Sequence, residues 1–195
     1  MANSTPLPGR TNVDLVDYGA LNQPTSGRVT ATSVKDKGIA RIDFTLNKAR
    51  VPVTDGTTSG SYGTLKLFDF VEGAFSFLGC RQDYTATAEG SALTTAAGDA
   101  VYVWGVGTAA ASTARDGTLT GTEQDIGTKT SQITNSGGTG VGTAVDGAKT
   151  TGLNGTATPI DLYLNWSGTA ATIDANSYID VTGTISVSVV PLADD

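Results

Sequence analysis

The chain predicts an all-β protein, an antiparallel β-sandwich with a jelly-roll-like domain and an extended N-terminal arm. Three observations lead there. Apolar and polar residues alternate over short stretches, which is the period of a strand with one buried face. Glycine supplies 25 of the 195 residues and gathers with threonine and serine between those stretches, where the chain must turn. No long stretch combines a helical period with a cap, and only residues 91–97 would make a brief helical turn.

Taken in order, residues 1–25 carry Pro6, Pro8 and Pro24 with Gly9 and Gly19 and hold no sustained period. Helix is blocked there, yet Leu7, Val13, Leu15, Val16, Tyr18 and Leu21 still call for burial. They predict an extended arm whose six apolar side chains form a partner interface; packing of the arm on its own domain is the alternative. Residues 26–195 form the sandwich. Residues 28–34 are rich in β-branched side chains, and residues 39–46 set Ala40, Ile42, Phe44 and Leu46 opposite Arg41, Asp43 and Thr45. Residues 62–70 set Leu65 and Leu67 opposite Phe68 and Phe70, and residues 99–106 set Val101 and Val103 opposite Tyr102 and Trp104. Both stretches predict cover on two faces. Because a two-layer sandwich covers one face of each sheet, the second face is expected against another subunit or the arm. Glu72-Gly73 turns the chain into residues 74–84 as a hairpin. Residues 107–155 are poor in apolar groups and predict short strands with loops. The clearest alternation closes the chain: Ile160, Leu162, Leu164 and Trp166 form one stripe, and Ile179, Val181, Ile185, Val187 and Val189 another.

Composition narrows the chemistry. The chain has no histidine and one cysteine, Cys80, so the common proton shuttle and clustered-thiolate metal sites are missing. Cys80 is expected as a packed strand residue. A formal charge of −7 has the wrong sign for neutralising phosphates, so neither nucleic acid nor an anionic membrane is an expected partner. The first ten residues lack the apolar stretch of a secretory signal, which predicts a protein made in the cytoplasm. Asp55-Gly56, Asp116-Gly117 and Asp146-Gly147 read as turns rather than calcium loops. The glycine run at 137–142 has neither the strand, the helix nor the Lys-Ser/Thr of a phosphate loop. Asn3, Asn154 and Asn165 head glycosylation patterns that mean little without secretion. Asp69 and Glu72 are the one acid pair worth testing for glycoside hydrolysis, with solvated turn acids the plainer reading. Trp104 and Trp166 would line a sugar platform if exposed, and are buried strand aromatics otherwise. The chain is expected to be no enzyme and to bind no cofactor and no metal.

The Pro-rich start, the Thr/Gly/Ala texture, and the run Gly152-Leu-Asn-Gly-Thr-Ala-Thr-Pro-Ile-Asp-Leu-Tyr-Leu-Asn-Trp166 leading to Tyr178-Ile-Asp-Val-Thr-Gly-Thr-Ile-Ser-Val-Ser-Val-Val190 together resemble the decoration, or cement, proteins of tailed bacteriophages. The resemblance is one of composition and covers about the final two-thirds of the chain. It implies a virion structural protein on the outer capsid surface, without an active site, a homotrimer that bridges capsomers and takes the major capsid protein as partner. A phage fibre or surface adhesin module binding host glycans shares the fold and composition and is the alternative.

Overall fold

Alternation becomes strand wherever the sequence carries it. The structure, a computed structural model, describes residues 11–12, 19–21, 28–55, 60–89, 100–112, 118–134, 139–141, 145–147, 151–155, 159–168 and 178–192. Among them run β1 (Thr11–Asn12), β2 (Gly19–Leu21), β3 (Val29–Asp36), β4 (Ile39–Pro52), β5 (Thr54–Asp55), β6 (Ser61–Phe70), β7 (Gly73–Glu89) and β8 (Ala100–Gly107). There follow β9 (Gly127–Thr134), β10 (Thr139–Val141), β11 (Val145–Gly147), β12 (Thr151–Gly155), β13 (Asp161–Gly168) and β14 (Tyr178–Leu192). The first sheet is ordered β1-β3-β4-β14-β7, with β10, β11 and β12 laid end to end along β7; the second is ordered β2-β6-β13-β8-β9, with β5 also on β6. Every pairing is antiparallel. The two sheets pack face to face, so the predicted antiparallel sandwich stands. The jelly-roll order is not confirmed: β3 and β4 pair as neighbours within one sheet, turning through Lys37 and Gly38, both at positive φ (50° and 86°).

The core lies between the sheets. From the first come Ile42, Phe44, Leu46, Phe77, Ile185 and Val187, and from the second Leu67, Phe68, Leu162, Leu164 and Trp166. Phenylalanine rings link the layers edge to face, Phe44 to Phe68 at 5.8 Å and Phe70 to Phe77 at 5.4 Å between centroids. Of the residues expected as central strands, 161–166 lie inside β13, with Ile160 just before it, and 179–189 inside β14, each strand flanked on both sides. The weak stretch 107–155 does form short strands, three of which line the edge of β7. Asp146-Gly147, expected as a turn, instead pairs with Arg81 and Cys80 inside β11. The expected helical turn at 91–97 lies outside the described residues.

Of the two doubly apolar strands, β6 departs from the expected cover on two faces, while β8 keeps it with both covers supplied from within the chain at its described side chains. In β6, Leu162 pairs with Phe68 but the next residue, Tyr163, pairs with Lys66, so Leu67 is one residue too many. This β-bulge inverts the alternation beyond it, and Leu65, Leu67, Phe68 and Phe70 all enter the same core. In β8, Trp104 and Val106 face that core, while Val103 on the opposite side is covered by the chain's own residues Ala111 and Leu119. Those belong to a strap, residues 108–112 and 118–126, that crosses the outer face of the second sheet. Among the described side chains, neither strand requires a second subunit to hide its apolar groups; those of Val101 and Tyr102 lie outside them.

Candidate functional site

Of the six arm residues expected at a partner interface, Leu7, Val13, Leu15, Val16 and Tyr18 lie outside the described residues. Leu21 falls in β2, opposite Phe68 of β6. The arm's two described pieces thus pair with their own domain: β1 extends β3 at the margin of the first sheet, and β2 does the same for β6 in the second. Gly19 is required for this. Its φ is 149°, and a Cβ there would stand 1.8 Å from the Asp69 carbonyl oxygen.

The acid pair is assembled differently from expectation. Glu72 is exposed at the β6–β7 turn, and Asp69 meets Asp161, its register partner on β13. The Leu67 bulge sets Lys66 and Asp69 on the same outer face, where Lys66 Nζ bonds Asp69 Oδ1 and lies 2.9 Å from Asp161 Oδ2. The Tyr163 hydroxyl donates to Asp161 Oδ2 at 2.8 Å. Burial works against the ionised Asp161, but hydrogen bonds from Lys66 and Tyr163 outweigh it and hold its carboxyl below the usual range. Burial also opposes the Lys66 ammonium, and the two carboxylates push its pKa above the lysine range nonetheless. Glycoside hydrolysis needs one carboxyl kept protonated near neutrality, and this arrangement does the reverse for Asp161. The cluster is an ion-paired brace between β6 and β13. Asp161 was missed in the sequence because its partner is set by strand register.

Both tryptophans point inward, 1% and 0% exposed, with ring centroids 6.2 Å apart, so they offer no platform to a sugar. Cys80 is buried on the inner face of β7, and burial pushes its thiol up to about 12. Asn165, head of one glycosylation pattern, is fully buried beneath the strap, where no glycan can reach its amide nitrogen. Its Oδ1 accepts from Thr64 Oγ1 at 2.7 Å and from the Ala111 N–H at 3.0 Å; its Nδ2 donates to the carbonyls of Ala109 and Glu123, both at 2.8 Å. Those four bonds use the donor and acceptor capacity of the amide. Asp125 completes the clasp by accepting from Thr108 N–H and Oγ1 at 2.9 and 2.7 Å.

With the second sheet strapped over, the outer face of the first sheet is the broad one left open. Register sets Asp43, Ser186 and Arg81 in one row and Thr45, Thr184 and Asp83 in the next, all half-buried or exposed. Arg41 pairs with Asp43 at 2.9 Å and Arg81 with Asp83 at 4.0 Å. Near the β3–β4 turn a shallow groove of about 210 Å³ is lined by Val34, Asp36, Ile39, Arg41 and Ser188, and Ile39 and Leu192 at that end are 41% and 45% exposed. Among the described residues no three His, Cys, Asp or Glu side chains gather as metal ligands, and no helix is long and apolar enough to cross a membrane. Comparison with protein-family models, curated proteins and solved structures found no match.

Proposed function

We propose that the chain is a non-enzymatic virion structural protein, made in the host cytoplasm, that decorates the outer surface of a phage capsid and stabilises it by bridging capsomers, as a homotrimer in contact with the major capsid protein. The observation that carries the reading is the outer face of the first sheet: four long strands present short Ser and Thr side chains and self-paired charges over a broad area whose one described groove is shallow. A broad sheet face of this kind suits lattice docking, where geometry is repeated and no substrate needs enclosing. The buried polar groups fit the same reading, since Asn165 and Asp125 are spent on clasping the strap. The trimer rests on the resemblance, because the described apolar side chains of β6 and β8 that first called for neighbours are covered within the chain. The glycan-binding alternative loses its signal at Trp104 and Trp166. The test is to add the purified protein to undecorated capsids of the phage that encodes it. Saturable co-sedimentation with a raised capsid melting temperature is expected; no binding, or binding without stabilisation, would refute the proposal.

A further inference from the structure

Asp180 is 7% exposed in β14, directly opposite Arg50 of β4. Two guanidinium groups converge on one of its oxygens: Arg28 Nη1 lies 3.4 Å and Arg50 Nε 3.6 Å from Oδ1. Each is braced a second time. Arg28 Nη1 donates to the Lys48 carbonyl at 2.7 Å, and the Arg50 guanidinium carbon sits 3.9 Å from the centre of the Tyr178 ring. Stacking of this kind fixes the plane of the guanidinium fork.

The plain reading is a structural clamp. The ladder slips here between Val181 and Gly183, and Lys48, at φ 51°, donates its N–H to Thr182 Oγ1 at 3.1 Å. A clamp explains one arginine, since one guanidinium compensates one buried carboxylate. It leaves the second unexplained. Exposed Lys48 adds a third cation, while among the described residues the acids placed at this corner are Asp180 and, by register opposite Tyr178, Glu89. Among the described residues three basic positions thus stand with two acidic ones, on a chain of net charge −7. The side chains of Arg28 and Arg50 are 31% and 42% exposed, so both reach the surface.

We infer that this corner is a recognition site for a carboxylate-bearing, acidic segment of a partner protein, gripped by the guanidinium groups of Arg28 and Arg50. A carboxylate matches the planar fork. The net negative charge of the chain opposes a long polyanion such as nucleic acid. A short acidic segment senses mainly the charges within a Debye length, ~8 Å at physiological salt. The site does not depend on the capsid reading.

The test titrates the capped peptide acetyl-Asp-Asp-Asp-Asp-amide into the isotope-labelled full chain at physiological ionic strength, following arginine Nε–Hε resonances by NMR. Those of Arg28 and Arg50 should shift. Arg50→Gln should weaken binding about fivefold, in line with loss of one exposed charge pair, and Lys35→Gln, at the far end of β3, should leave it unchanged. If Arg50→Gln disturbs the fold, Lys48→Gln, which spares the clamp, should still weaken binding about twofold. No shift at the two arginines, or equal weakening by Lys35→Gln, would overturn the proposal. Inorganic phosphate binding as tightly as the peptide at matched ionic strength would overturn the assignment to a protein carboxylate.

Discussion

At Cys80 the sequence foretold a packed thiol but not how its protonation is tied to stability. The side chain projects into the core beside Gln82, and Tyr84 next along the inner face donates its hydroxyl to Gln82 Oε1 at 3.0 Å. Burial raises the thiol from about 9.0 to about 12, and it raises Tyr84 as well, with the Cys80 charge as a second cause. The folded state therefore holds the thiol proton more tightly than the unfolded chain. This contribution is complete below pH 9 and is lost as pH climbs from about 9 towards 12. Thermal melts of the wild type should decline over that range, and Cys80→Ala should flatten part of the decline while costing some stability at every pH through the small cavity it opens. Identical slopes for the two proteins would show that folding does not raise the Cys80 pKa. Asp161 works at the other end of the scale: its lowered pKa gives stability that is present above about pH 4 and lost as the carboxylate is protonated.

Among the elements, the strap was the least legible in the sequence. Its stretch is poor in apolar residues, and its anchor, Asn165, stands in a strand read as ordinary polar-outward alternation. What the alternation could not show is that the outward position is buried by chain from some 40 to 55 residues away. A signal was nonetheless present in Gly105 and Gly107, which alternate with Trp104 and Val106. A Cβ at Gly107 would come within 2.3 Å of Glu123 backbone, so the strap can lie flat only over glycine. The β6 bulge was hidden for a related reason: one surplus residue is visible only against the partner strand, whereas the β4 and β14 stripes, which keep strict parity across their central residues, were read correctly. Asn165→Ala should strip partners from Thr64, Ala111 N–H and two carbonyls, and cost about 3 kcal/mol or more in urea unfolding. Amide exchange should accelerate at Ala111 ahead of the β4–β14 ladder. A loss below about 1 kcal/mol would mean that the strap is held by Val103, Ala111 and Leu119 rather than by the amide.

For the molecule as a whole, composition and period were enough for two packed antiparallel sheets, because burial of one face per strand leaves few other arrangements. Strand order was not legible, since which strand neighbours which is decided by loop paths that periodicity does not encode. The interface was read from apolar surplus, and among the described side chains of β6 and β8 the structure moves that surplus inside: the bulge and the strap answer it within one chain. What remains outward is the Ser/Thr face of the first sheet with its charge-balanced rows, and the basic corner at Arg28 and Arg50. Decoration of a lattice asks that such a face be repeated at every capsomer, so abundance separates it from the fibre reading more directly than affinity does. Quantitative mass spectrometry of purified virions measures it. Hundreds of copies of this chain per particle are expected from an icosahedral lattice decorated throughout; a few dozen or fewer would place it in a fibre or tail structure and contradict the account.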